Sequence, residues 1–61
     1  MALKELREAR FITQRELAAQ AGVTQATIVR LEQGRHWPTF TTIRKLAAAL
    51  GVEPGELVVR E

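Results

Sequence analysis

Gln25 and Arg30 carry the side chains best suited to a hydrogen-bonded partner in this 61-residue sequence. A carboxamide donates and accepts at once, which matches the N6 and N7 edge of adenine. A guanidinium fork matches O6 and N7 of guanine, with a backbone phosphate as the competing partner. The two residues stand five apart, about 140° net around a helix, so they share no narrow stripe and the longer arginine must reach round. Covalent chemistry is poorly served. The sequence holds no Ser, Asp, Asn, Tyr or Cys and a single histidine. A Ser or Cys triad is impossible, a CxxC metal site is excluded, and His36 lacks evident co-ligands. The reading is no enzyme, no metal and no cofactor.

Charge is unevenly placed around these residues. Residues 10–45 carry six basic side chains, Arg10, Arg15, Arg30, Arg35, Arg44 and Lys45, against two acidic ones, Glu16 and Glu32. Residues 46–61 carry Arg60 against Glu53, Glu56 and Glu61. A basic middle suits a polyanion. No apolar run approaches the ~18 residues of a membrane span, and the N-terminus lacks a signal-peptide core. These features predict a cytoplasmic, nucleoid-associated protein with no membrane partner and no evident small-molecule effector. A chain this short buries only roughly 60% of its unfolded surface. Residues 1–61 are therefore expected to form one domain held by helix packing, completed in one reading by a partner subunit.

The elements that must position Gln25 and Arg30 are all helical. Leu3 and Leu6 predict helix 1 over about Ala2–Arg10, and Phe11-Ile12 is a short apolar connector. Thr13-Gln14-Arg15-Glu16 reads as a capping box. Helix 2 follows over about Gln14–Ala21, with Ile12 stapling onto Leu17 and a left-handed Gly22 as its stop. Thr24 caps helix 3, about Gln25–Gln33, and Gly34 ends it. Pro38 keeps Arg35–Trp37 out of a helix. Thr39 caps helix 4, about Phe40–Leu50, and Pro54 opens a short helix 5, about Pro54–Val59. Two helices joined only by Ala21-Gly22-Val23-Thr24 must meet at a steep angle, with Ala18 and Ala21 as the small residues at the corner. Leu17, Val23, Ile28 and Leu31 then point into a common core, which leaves Gln25, Ala26, Val29 and Arg30 on or near the outer side.

The run Gln14-Arg15-Glu16-Leu17-Ala18-Ala19-Gln20-Ala21-Gly22-Val23-Thr24-Gln25-Ala26-Thr27-Ile28-Val29-Arg30-Leu31-Glu32 closely resembles the helix-turn-helix of the Cro and phage-repressor-like family, also called the xenobiotic-response-element family. The resemblance continues through Gly34, Pro38-Thr39, Ile43, Leu46-Ala47, Leu50-Gly51-Val52 and Glu56-Leu57. It implies an all-α, compact five-helix phage-repressor-like domain and a sequence-specific transcriptional regulator of repressor type, reading the major groove of double-stranded DNA with helix 3. By resemblance Gln25, Ala26 and Arg30 are base-reading positions, Ala26 offering only a methyl. Gln14, Thr24 and Thr27 match phosphate-binding positions, with Arg10 and Arg35 as further phosphate candidates. Arg7 and Glu32 match a partly buried ion pair that fixes the recognition helix to its scaffold.

Several alternatives stay open at this level. An antitoxin that represses its own operon would share the same reading helix. A protein-interaction module that kept the fold but lost DNA binding should lack polar residues on the outer face of helix 3. Trp37 reads as a lid on Phe40, a DNA-backbone contact or part of a subunit interface. Leu57, Val58 and Val59 read either as a core closure or as the seam of a homodimer on a roughly palindromic site.

Overall fold

In the computed structural model, which describes residues 1–58, the chain folds as α1 (Leu3–Ala9), α2 (Gln14–Ala21), α3 (Gln25–Glu32), α4 (Phe40–Leu50) and α5 (Pro54–Leu57). There is no strand among the described residues. α2 and α4 match their expected limits. α1 is one residue shorter at each end than expected. Ala2 is not helical, and its N–H is spent on the carbonyl of Leu57 at 2.9 Å, tying the start of the chain to α5. At the other end Phe11 takes a left-handed φ of 56° and breaks the helical path.

Local capping sets the other boundaries. Thr13 Oγ1 accepts from the N–H of Glu16 at 3.0 Å, and the Glu16 carboxylate accepts from the N–H of Thr13 at 2.8 Å. These reciprocal bonds satisfy two of the amides a helix start leaves without partners. Thr24 and Thr39 cap α3 and α4 through the N–H groups of Thr27 and Thr42. Gly22 closes α2 at φ 72°, and Val23 N–H returns to the carbonyl of Ala18 at 3.0 Å. α3 stops at Glu32, one residue early, as the N–H of Arg35 folds back onto the carbonyl of Arg30 across Gly34. At α5 the Glu56 side chain reaches back to the N–H of Glu53 at 2.8 Å. α5 ends at Leu57; Val59, the last residue of its expected range, lies outside the described residues.

The core joins Leu3 of α1, Leu17, Ala18 and Ala21 of α2, Ile28 and Leu31 of α3, Ile43, Leu46, Ala47 and Leu50 of α4, and Leu57 of α5. Ala18 and Ala21 are buried where α2 meets α3, as the four-residue corner requires. Val23 and Ile12 are only partly buried against this core. Leu57 is fully buried, so it closes the core and is not available as a dimer seam. Val58 packs partly against the same core. No helix among the described residues is long and apolar enough to cross a membrane.

Candidate nucleic-acid interface

Burial of Ile28 and Leu31 turns the opposite side of α3 outward, where Gln25, Ala26 and Arg30 are exposed and Val29 is half-buried. The α3 cap is also a small polar cluster. The hydroxyls of Thr24 and Thr27 lie 2.9 Å apart and share one hydrogen bond. One of the two hydroxyl protons is consumed there, which leaves one for an outside acceptor.

The fold sharpens the charge asymmetry. Arg10, Arg15, Arg30, Arg35, Arg44 and Lys45 are all exposed. Both acidic residues of that stretch are engaged internally. Glu16 is spent in the capping box, where the N–H and then the hydroxyl of Thr13 hold its carboxyl below the usual pKa. Glu32 is paired with Arg7. Arg10 keeps one tether, Nη1 to the carbonyl of Leu6 at 3.1 Å. Arg15, Arg30 and Arg35 form no ion pair among the described residues.

Three helices converge on Glu32. Arg7 of α1 donates from Nε to Glu32 Oε2 at 2.6 Å and from Nη2 to Oε1 at 3.1 Å. Its Nη1 donates to the carbonyl of Ile12 at 2.9 Å. The hydrogen bond to Glu32 raises the pKa of Arg7 above its ordinary value, against the opposing effect of burial. Gln14, at the start of α2, donates from Nε2 to Glu32 Oε1 at 3.0 Å. Sequence reasoning missed this last bond, which links positions 18 residues apart and leaves no local signal.

Sequence reasoning also missed a cleft of about 200 Å³ between α3 and the start of α4, lined among others by Thr27, Arg30, His36, Trp37 and Thr42. Pro38 is buried and fixes the loop that brings His36 and Trp37 there. Trp37 does not cover Phe40, because the two residues remain 54% and 81% exposed. No group of three or more His, Cys, Asp or Glu that could hold a metal ion converges among the described residues.

Comparison with known proteins gives a consistent picture. A helix-turn-helix family model matches residues 3–57. The chain is 43% identical over 51 residues to an HTH-type transcriptional regulator of Methanothermobacter thermautotrophicus, covering 84% of this chain and 74% of that protein. It is 45% identical over 53 residues to one from Sinorhizobium fredii, covering 87% of this chain and 69% of that protein. It is 30% identical over 59 residues to the immunity repressor protein of Bacillus phage phi105, covering 97% of this chain and 41% of that protein. No solved structure matches the chain significantly.

Proposed function

This chain belongs to the helix-turn-helix family of Cro-like and phage-repressor-like transcriptional regulators, and from that premise we propose that it represses transcription by laying the outer face of α3 in a DNA major groove. Gln25, Ala26 and Arg30 face the base edges. The amide of Gln25 suits adenine, the Ala26 methyl suits the methyl of thymine, and the Arg30 fork suits guanine. Arg10, Gln14, Thr24, Thr27 and Arg35 hold the sugar-phosphate backbone on either side. The observation that carries this reading is the two-sided character of α3: Ile28 and Leu31 are buried, whereas Gln25 and Arg30 stand exposed. The stretch 10–45 that holds them carries six exposed cations, Arg30 among them, and its two carboxylates are both engaged internally.

One copy measures 25 × 22 × 19 Å and presents one such helix. Successive major grooves on one side of DNA repeat about every 34 Å. We therefore place two copies on a roughly palindromic site, one recognition helix per groove. Selection of bound sequences from a random DNA pool tests this directly, and the expected product is an inverted repeat. Binding should weaken steeply with salt, because each neutralised phosphate releases counterions. Absence of DNA binding would leave the protein-interaction reading in its place.

A further inference from the structure

The Glu32 carboxylate sits in the last turn of α3, where the helix dipole disfavours an anion. Arg7 compensates that charge by itself with two hydrogen bonds. The additional bond from Gln14 Nε2 to Glu32 Oε1 at 3.0 Å is therefore not needed for charge balance, and its consequence falls on Gln14. A glutamine amide has a donor end and an acceptor end of nearly the same shape, and a half-exposed one can turn either outward. A carboxylate only accepts, so it selects the NH2 end. The second N–H of Gln14 then has no partner among the described residues and stays available on a group whose rotamer is fixed.

We propose that Glu32 is a positioning residue for a DNA-backbone contact. It orients the Gln14 amide so that the remaining N–H donates to one phosphate oxygen. Because Glu32 belongs to α3, it also ties that phosphate contact to the placement of the recognition helix. This inference rests on the reading of α3 as the DNA-reading helix and of Gln14 as a phosphate contact. It adds that Gln14 does not act independently: without the carboxylate its amide presents either end, and a carbonyl oxygen turned outward repels a phosphate.

The test replaces each phosphate of a selected DNA site in turn by an uncharged methylphosphonate. Gln14→Met should abolish the sensitivity at a single phosphate, which identifies its contact, worth about tenfold in affinity. Glu32→Gln, with Gln14 intact, should lose most of the sensitivity at that same phosphate and keep it at the others. A merely structural role would weaken binding evenly and leave that phosphate as sensitive as before, which overturns the proposal. If Gln14→Met alters no single phosphate, the contact itself is absent and the proposal fails. If the wild-type protein binds no DNA, the functional reading beneath it fails first. Should Glu32→Gln not fold, side-chain amide NMR of the free wild-type protein decides. One Gln14 amide hydrogen slowed in exchange supports the clasp, and equal, fast exchange of both overturns it.

Discussion

Arg7 and Glu32, 25 residues apart in sequence, form a two-point ion pair with side chains only 11% and 5% exposed. Such a pair contributes little net stability over an apolar replacement, but removing one partner strands a desolvated charge. Arg7→Met should destabilise the fold by about 3 kcal/mol. Glu32→Gln should also destabilise it, and the double variant should lose less than the sum. Urea denaturation of the four proteins measures the coupling, and strict additivity would show that the two side chains act independently.

Gly22 stands at φ 72°, and a Cβ built there would meet nothing within 4 Å. The cost of a side chain is thus conformational and not steric. Gly22→Val should cost more than about 1 kcal/mol, because a β-branched residue resists a left-handed backbone. Gly22→Asn should cost less, since Asn tolerates that region. Thermal melts that leave Gly22→Val unchanged would show that the corner tolerates another path.

Phe11 presents the converse case. It holds φ 56° without the freedom of glycine, and the residue is 95% exposed, so it gains almost no burial in return. Phe11→Asn should raise stability by roughly 0.5–1 kcal/mol, the left-handed strain relieved. In a 61-residue chain that shifts the melting temperature upward by a few degrees, about 4–8 °C per kcal/mol. A lower melting temperature would mean that the ring packs against the fold.

The capping box makes stability depend on acid. Glu16 has a lowered carboxyl pKa because the N–H of Thr13, and then its hydroxyl, bind the charged form. A group with a depressed folded pKa contributes stability above its unfolded value and loses it as pH falls through the folded one. Glu16→Gln should therefore flatten the stability profile on the acid side of the ordinary glutamate range, near pH 4. An unchanged acid limb would assign the acid sensitivity elsewhere.

Arg30 borders the outer face of α3 and the cleft with His36 and Trp37, so it is placed near both base edges and backbone. Arg30→Ala should cost about 1–3 kcal/mol on the best site and relax preference at one base pair if it reads a base. A uniform loss on every sequence, with a salt slope shallower by about 0.9, would assign it to phosphate instead. Gln25→Ala should relax a different base pair. If neither variant alters the selected sequence, α3 does not read bases.

The sequence alone determined the features whose causes lie within a turn or two of the chain. The Thr13–Glu16 box, the Thr24 and Thr39 caps and the left-handed Gly22 each follow from a few neighbouring residues. The limits of α2 and α4 therefore agree with the pattern, and so does the inward set of Leu17, Ile28 and Leu31. The tertiary structure decided what depends on residues far apart in the chain. Ala2 stands outside α1 as its N-cap, and its N–H, which no helix start can use internally, is bonded to the carbonyl of Leu57. Leu57 and Val58 carry the same kind of apolar signal, yet only Leu57 is fully buried, since α5 packs that side against α4. The Gln14 amide finds Glu32 only after α2 and α3 have docked. An apolar or polar pattern states which side chains seek burial or a partner; it does not state which partner chain geometry brings within 3 Å, and at Glu32 that choice sets what remains free to meet DNA.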